Sequence, residues 1–222
     1  MIDRGAFTKR ERKLLSALST PRRIQDFLDR LPINTEPEGD TCFPPRRVLR
    51  ERRAHCIEAA MLAALALRWH GQRPLVVDLE AALDDQDHVI AVFRQHGHWG
   101  AISKTNHAAL RYREPVYRTI RELVMSYFHE YFRQADGRKT LRAYSRPVDL
   151  SRFDRRGWMT DEDHVWYVPE HLCEVAHAPI LTRAQASTLR SADRAERAAG
   201  EIVEWIPRGR RPFARPSKDV LG

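Results

Sequence analysis

The sequence predicts an α+β domain in which a buried helix packs on a small antiparallel sheet, with further helices at the periphery. From Cys56 to Trp69 almost every position is apolar, which is typical of a helix covered on nearly all sides. Three β-like runs follow, at 74–80, 88–94 and 98–103. The chain is therefore organised around the stretch that joins this helix to these strands.

Length and composition fit one large domain with a short tail. The chain has 222 residues, of which 42% are hydrophobic and 31% charged, so it can bury a sizeable core over residues 1–206. The N-terminus lacks the pattern of a signal peptide, and no window has 18 uncharged apolar residues. The three cysteines are widely spaced and odd in number, which favours free thiols. These features predict a cytoplasmic protein without membrane association.

The net charge of +8 is concentrated in two short segments. Residues 41–53 hold five arginines against one glutamate, and residues 207–222 hold four arginines and a lysine against one aspartate. The rest of the chain is nearly neutral. Because a nucleic-acid-binding domain usually spreads its basic surface over folded elements, this distribution argues against nucleic acid as the partner. An anionic partner bound by the arginine-rich tail remains an alternative.

The N-terminal part predicts short helices. Residues 1–17 contain one helical arm. Thr20 followed by Pro21 is a helix start, with a hydroxyl N-cap before a proline at the first helical position, and that helix would run over 21–31. Residues 33–45 form a loop, and residues 46–53 are either a helix or an extended lead-in to Cys56.

Turn residues separate the central elements. Gly71 ends the helix that begins at Cys56. An acidic turn at 82–87 precedes the second strand, and His96-Gly97 form the hairpin turn before the third.

The C-terminal half predicts an amphipathic helix over 116–133, because apolar residues recur there at helical spacing. A strand at 139–145 and a loop at 146–161 follow. A helix over 162–175 would be kinked or divided by Pro169. Beyond it lie a polar helix over 182–200, a short strand at 201–206 and a disordered basic tail over 207–222.

Cys56 and His88 are the candidate nucleophile and base. Cys56 opens the buried helix, where the helix dipole lowers a thiol pKa, and His88 opens a strand. The alternative is a core cysteine and a structural histidine. His55 is a second possible base, but adjacent residues on a helix diverge.

Other polar clusters have simpler interpretations. Asp84, Asp85 and Asp87 could join His88 in a metal site, but their spacing matches no zinc or calcium loop, so neither metal nor cofactor is expected. A cluster of charged residues before Pro115 either borders a cleft or forms surface ion pairs. The aromatic stripe at 127–132 lines a cleft or belongs to the core.

The stretch from Cys56 to Ser103 resembles the transglutaminase-like branch of the papain-like cysteine fold. In that family a Cys opens a buried helix that ends at a Gly, as at Gly71, and a His opens a later strand. A hairpin with a Trp, here Trp99, leads to the third catalytic position. The resemblance implies a cysteine enzyme that acts on amide bonds of a protein or peptide through a thioester, by hydrolysis or by transfer to an amine.

The sequence departs from the family at the third catalytic position. The family usually has Asp four residues after the Trp, and this chain has Ser103, with the carboxamide of Asn106 three residues further on. The third group only orients the imidazole, so the candidate catalytic set is Cys56, His88 and either Asn106 or Ser103. The second hypothesis is a catalytically impaired domain that binds a peptide or partner in the same cleft.

Overall fold

The fold is α+β, with helices on both faces of an antiparallel sheet. A computed structural model describes residues 2–204. Within that range the helices are α1 (Lys9–Ala17), α2 (Pro21–Asp29), α3 (Pro45–Glu51), α4 (Cys56–Trp69), α5 (Ile120–Met125), α6 (Tyr167–Glu174), α7 (Arg183–Ser187) and α8 (Arg194–Gly200). Two 3-10 segments are found at Arg4–Ala6 and Leu150–Arg156.

The strands pair antiparallel throughout the sheet. They are β1 (Leu75–Ala81), β2 (His88–Gln95), β3 (His98–Ile102), β4 (Arg113–Tyr117), β5 (Leu141–Ser145), β6 (Val148–Asp149) and β7 (His177–Pro179). The order is β4-β3-β2-β1-β5-β7, and β6 pairs with β1. Because β2 lies inside the sheet with partners on both sides, its first residue, His88, has a fixed position.

Helix α4 is the centre of the larger core. Every residue of α4 except Cys56 and Arg68 is buried, and its alanines allow close approach to β2. The face of β2 that meets this core carries Val89, Ala91 and Phe93. The buried helix on the sheet and its bounds, Cys56–Trp69, confirm the prediction.

The opposite face of the sheet is covered by α5 and the aromatic segment that follows it. Tyr127, Phe128 and Tyr131 are buried against Leu79 and Ile90. The aromatic stripe is therefore mainly core.

The glycine and hairpin turns predicted around the sheet are present in the structure. Gly71 has φ +87°, and the hairpin residues His96 and Gly97 have φ +51° and +82°. Two consecutive positive φ values give a hairpin turn whose twist matches that of the strands. Thr20 caps α2 by accepting a hydrogen bond from the Arg23 N–H, as predicted. Of the two alternatives for 46–53, the helix is present over most of the segment, as α3 (Pro45–Glu51), and Arg52 ends it in a left-handed conformation.

The predicted helix over 116–133 is wrong over most of its length. Val116 lies in β4, and the helix spans only Ile120–Met125. Beyond it the backbone forms i→i+3 turns, and Thr140 N–H donates to Tyr131 C=O. The aromatic residues at 127–132 recur at helical spacing because these turns, like a helix, place the aromatic side chains against the sheet.

Two other helix predictions need correction. Helix α6 begins at Tyr167, so Pro169 lies in its first turn, where no backbone donor is required and no kink results. The polar segment 182–200 holds two short helices, α7 and α8, rather than one. The sequence did not predict three of the strands, which are β4, β7 and β6. Strand β6 lies within the predicted loop 146–161.

Part of the C-terminal prediction lies outside the described residues. Val203 forms a β-bridge with His107, but 205–206 and the tail at 207–222 are beyond the described range. No helix within residues 2–204 is long and apolar enough to cross a membrane.

The buried position of α4 gives a matched pair of leucine substitutions. Leu65→Ala removes a side chain with no exposed surface, and we expect a loss of about 2–5 kcal/mol in the free energy of unfolding. Leu83→Ala changes a fully exposed leucine and should alter stability by less than about 0.5 kcal/mol. Urea unfolding measures both, and equal losses would contradict the placement of α4 at the centre of the core.

Candidate functional site

The first turn of α4, the start of β2 and the end of β3 meet at one cleft. Cys56 is the first residue of α4, His88 is the first residue of β2, and Ser103 directly follows β3. Cys56 and His88 both line a cleft of about 470 Å³, a size typical of small-molecule and peptide-side-chain sites. The two residues expected from the sequence to form a nucleophile and a base are therefore brought together.

The Cys56 thiol has two histidine partners. It is half-buried, and burial alone would raise its pKa, but hydrogen bonds with His55 and His88 and the positive charges of both rings lower the pKa to about 5. The ordinary thiol pKa is about 8.5, so Cys56 is a thiolate at neutral pH. This ionisation is the property that a nucleophilic cysteine requires.

His88 is oriented by a hydroxyl. Its ring is buried, and Nε2 lies 2.8 Å from the Oγ of Ser103. Ser103 Oγ donates its only proton to the C=O of Leu110, so it can only accept from Nε2–H. Since Nε2 carries that proton, Nδ1 is the nitrogen left to meet Cys56 and to accept or return a proton.

The Leu110 carbonyl that holds Ser103 is itself fixed. Leu110 has φ +58°, a left-handed conformation that leucine rarely adopts. Its N–H donates to Glu130 at 2.8 Å, and Glu130 pairs with Arg113 at 2.7 Å. These contacts keep the carbonyl directed at Ser103.

Asn106, the other candidate third residue, also lines the cleft. Its backbone carbonyl oxygen accepts a hydrogen bond from the Glu204 N–H at 2.8 Å. Ser103 is the residue whose side chain lies next to Nε2 of His88.

His55 takes a larger part in the site than its sequence position suggested. It precedes α4 with an extended backbone, so its ring does not diverge from Cys56 as two helical neighbours would. Nε2 lies 3.0 Å from Thr41 C=O, 3.3 Å from Glu58 and 3.5 Å from Glu36. Burial opposes protonation of the ring, but the bond with Cys56, the Glu58 charge and the Thr41 carbonyl raise its pKa to about 9.

Glu58 supports this arrangement from inside the protein. Its side chain has no exposed surface, and it accepts hydrogen bonds from the N–H of His55 at 3.0 Å and the N–H of Phe43 at 2.9 Å. Thr41 and Asn34 donate to the same carboxylate. A buried carboxylate is stable only when its lone pairs are satisfied, and these contacts satisfy them.

Sequence reasoning missed Glu58 and gave His55 little weight. The available signal was a single carboxylate three positions after His55 in an otherwise apolar run. A carboxylate in a helix that is buried on nearly all sides needs a hydrogen-bonding or charged partner. The residue nearest in sequence that can carry a positive charge is His55.

The acidic turn before His88 has a structural role. Asp87 accepts the Ala81 N–H at 2.7 Å, and Asp85 accepts the Thr140 hydroxyl. Within residues 2–204, no cluster of three or more histidine, cysteine or acidic side chains is placed to hold a metal ion. Two of the charged residues before Pro115 form ion pairs, Arg111 with Glu204 and Arg113 with Glu130, and Glu130 lines the cleft.

A second histidine, half-buried, lies on β7. His177 Nε2 lies 3.0 Å from Asp78, and Nδ1 lies 2.8 Å from Val175 C=O. Burial raises the pKa of Asp78 to about 6 against the lowering effect of His177. Because both ring nitrogens face protein oxygens, His177 has no nitrogen left for a ligand, unlike His88.

No family model matches the chain, and no match to it was found among the curated proteins. The functional assignment therefore depends on the geometry of Cys56, His55, His88 and Ser103.

The two histidines can be separated by their effect on Cys56. His55→Gln and His88→Gln each replace an imidazole that stabilises the thiolate by a side chain that cannot carry a positive charge, so each should reduce the ionisation constant of the thiol about tenfold or more. The pH dependence of iodoacetamide alkylation at Cys56, followed by mass spectrometry, measures this change.

The exposed Cys173 in the same sample is the internal control, and His98→Gln is the matched variant. Although Cys173 is exposed, partial desolvation of its sulfur and the charges of nearby carboxylates raise its pKa, so its alkylation should require a higher pH than an ordinary thiol and should not respond to any of these substitutions. An unchanged profile at Cys56 in both His55→Gln and His88→Gln would contradict the two-histidine site.

Proposed function

We propose that this chain is a transglutaminase-like cysteine enzyme that acts on amide bonds through a thioester at Cys56. The observation that carries the proposal is the thiolate at a helix N-terminus beside a histidine whose far nitrogen is held by Ser103. The order of these residues along the chain, and the helix and hairpin between them, also support the resemblance to the transglutaminase-like branch of the papain-like fold.

The proposed first half-reaction breaks the amide. The Cys56 thiolate attacks the carbonyl carbon, and the electron pair moves to the carbonyl oxygen. The Cys56 N–H has no partner within the helix, since it belongs to the first turn, and it donates to this oxyanion. As the C–N bond breaks, Nδ1–H of His88 gives its proton to the leaving amine, and a thioester remains on Cys56.

The second half-reaction releases the acyl group. His88, now neutral, takes a proton from water or from a primary amine, which attacks the thioester. The C–S bond then breaks, and the thiolate returns beside the protonated imidazole. Water as the acceptor gives a peptidase or amidase, and an amine gives a transglutaminase-type transferase.

We propose Ser103 as the third member in place of the family's Asp. Its hydroxyl fixes Nε2 as the protonated nitrogen and thereby directs Nδ1 to the thiol, which is the function that an Asp or Asn performs elsewhere. His55 stays protonated through the cycle and holds the sulfur ionised between attacks, so the two histidines have separate roles.

The alternative is a catalytically impaired domain that binds a peptide in the same cleft. Such a domain would retain the fold, but the binding of a peptide does not require an ionised thiol. The lowered Cys56 pKa favours the enzyme, because a binding module gains nothing from it.

Turnover tests the enzyme hypothesis together with the role of Ser103. Glutamine-containing peptides are incubated with the protein, with and without a fluorescent primary amine, and ammonia release, peptide cleavage and amine incorporation are measured. We expect one of these products from the wild-type chain and none from Cys56→Ala.

Two further variants test which residue is the third member of the catalytic set. Ser103→Ala leaves Nε2 of His88 without its acceptor, and loss of one buried hydrogen bond worth about 1–3 kcal/mol should slow turnover about 10–100-fold. Asn106→Ala should slow it much less. Equal rates for Ser103→Ala and wild type would contradict the role of Ser103, and the absence of all three products from the wild-type chain with every peptide would favour the binding module.

A further inference from the structure

Helix α2 buries one polar side chain, that of Gln25. Its apolar residues Ile24 and Leu28 belong to the larger core, and Gln25, which stands between them in sequence, is only 6% exposed. A side-chain amide has two N–H groups and a carbonyl oxygen, and when it is buried each of them needs a partner inside the protein.

The partners of this amide are the backbone of Ser103 and the side chain of Asp29. Gln25 Oε1 accepts the Ser103 N–H at 3.0 Å, while Nε2 donates to the Ser103 C=O at 2.8 Å and to Asp29 Oδ1 at 2.7 Å. The two N–H groups of Nε2 thus have one acceptor each. The opposite orientation of the amide would place its N–H groups against the Ser103 N–H and its oxygen against two acceptors, so these contacts permit one orientation only.

Gln25 takes the place of a neighbouring strand at Ser103. The pairing of β3 with β2 ends at Ile102, one residue before Ser103, and the pairing of β3 with β4 ends at Ala101. An amide that accepts from the N–H and donates to the C=O of one residue makes the two bonds that the opposite residue of an antiparallel pair would make. The backbone of Ser103 is therefore fixed by α2, a helix that carries none of the candidate catalytic residues.

A second contact from the same part of the chain fixes the next residue. Lys104 is 1% exposed, and its Nζ donates at 2.6 Å to the C=O of Leu31, which lies just beyond the end of α2. A displacement of Ser103 and Lys104 away from α2 would therefore break the two backbone bonds to Gln25 and this third buried bond.

The position of the Ser103 backbone decides whether the hydroxyl reaches His88. Ser103 Oγ lies 2.8 Å from Nε2 of His88, and a hydrogen bond weakens steeply when its geometry departs from the preferred range. The Leu110 carbonyl accepts the hydroxyl proton and so sets the direction of the O–H bond. The contacts with Gln25 instead hold the backbone from which the hydroxyl extends.

We propose that Gln25 is a positioning residue that holds Ser103 where its hydroxyl accepts the Nε2–H of His88. Gln25 does not line the cleft, so it acts through Ser103 and not on a bound molecule. The effect of Gln25 on catalysis rests on the proposed function, whereas its effect on the contact between Ser103 and His88 does not.

The ring N–H signal of His88, followed by NMR in the isotope-labelled chain, tests that contact without a substrate. The Nε2–H signal is assigned through its couplings to the ring protons and its absence from His88→Gln. Gln25→Leu removes every hydrogen bond of the amide, so it should shift or broaden this signal as Ser103→Ala does. The matched control, Ile24→Val, removes a buried methyl group from the same helix and should leave the signal unchanged.

A double-mutant cycle on turnover tests the catalytic part. Gln25→Leu should slow product formation about 10–100-fold with little change in KM, because a small displacement of a catalytic group acts on the transition state. The double variant, Gln25→Leu with Ser103→Ala, should be no slower than Ser103→Ala alone, since Gln25 acts through Ser103. Ile24→Val should keep the wild-type rate.

An unchanged His88 signal in Gln25→Leu would overturn the proposal, as would an equal change in Ile24→Val. A rate for the double variant that combines both single losses would overturn it as well. A wild-type chain without turnover, but with a His88 signal that depends on Gln25, would remove the enzyme proposal and leave the role of Gln25 in placing Ser103 intact.

A second variant covers the case in which Gln25→Leu does not fold. Gln25→Glu keeps the size of the side chain and the acceptor for the Ser103 N–H, but it replaces the nitrogen that donates to the Ser103 C=O. It should therefore also shift the His88 signal, and an unshifted signal in this variant would count against the proposal.

Discussion

The buried carboxylate of Glu58 is the contact on which the rest of the site depends. It lies three residues into α4, has no exposed surface, and accepts hydrogen bonds from the backbone of His55 and Phe43 and from the side chains of Thr41 and Asn34. It thereby ties the loop before α3 to the first turn of α4. Because a buried charge is costly without partners, the loss of any of these contacts would destabilise the network.

From this anchor the ionisation of the thiol follows in steps. Glu58 and the Thr41 carbonyl stabilise the charged form of His55, and His55 in turn stabilises the thiolate of Cys56. On the other side of the cleft, the sheet fixes His88, and the Leu110 carbonyl fixes Ser103. The helix supplies the thiol, and its ionisation is favoured both by His55, which precedes the helix, and by His88, which begins a strand of the sheet.

Much of the fold was accessible from sequence because its signals are local. The apolar run at 56–69, the glycine that ends it and the hairpin at His96-Gly97 each depend on residues close in sequence, and the structure contains all three. The helix predicted over 116–133 was wrong for a physical reason. Helical spacing of aromatic side chains shows only that one side of a segment is buried, and a series of tight turns satisfies it as well as a helix does.

The candidate site was only partly predictable. Cys56 and His88 stand at the starts of elements, where their chemistry gives a recognisable pattern. The orientation of Ser103 depends on a carbonyl seven residues away, on the left-handed backbone of Leu110 and on Glu130, and no local pattern encodes such a contact. The charge of His55 likewise depends in part on the carbonyl of Thr41, which is distant in sequence.

The central claim is that Cys56 is ionised at neutral pH beside a protonated His55. Its most direct measurement is the ultraviolet absorbance of the thiolate, taken as the difference between wild type and Cys56→Ser from pH 4 to pH 10. Because ionisation is favoured by the two histidines, the difference should reach its midpoint near pH 5 and stay on a plateau up to pH 10, since the loss of the His55 proton near pH 9 leaves the thiolate ionised. A single midpoint near the ordinary thiol value of about 8.5 would contradict the account.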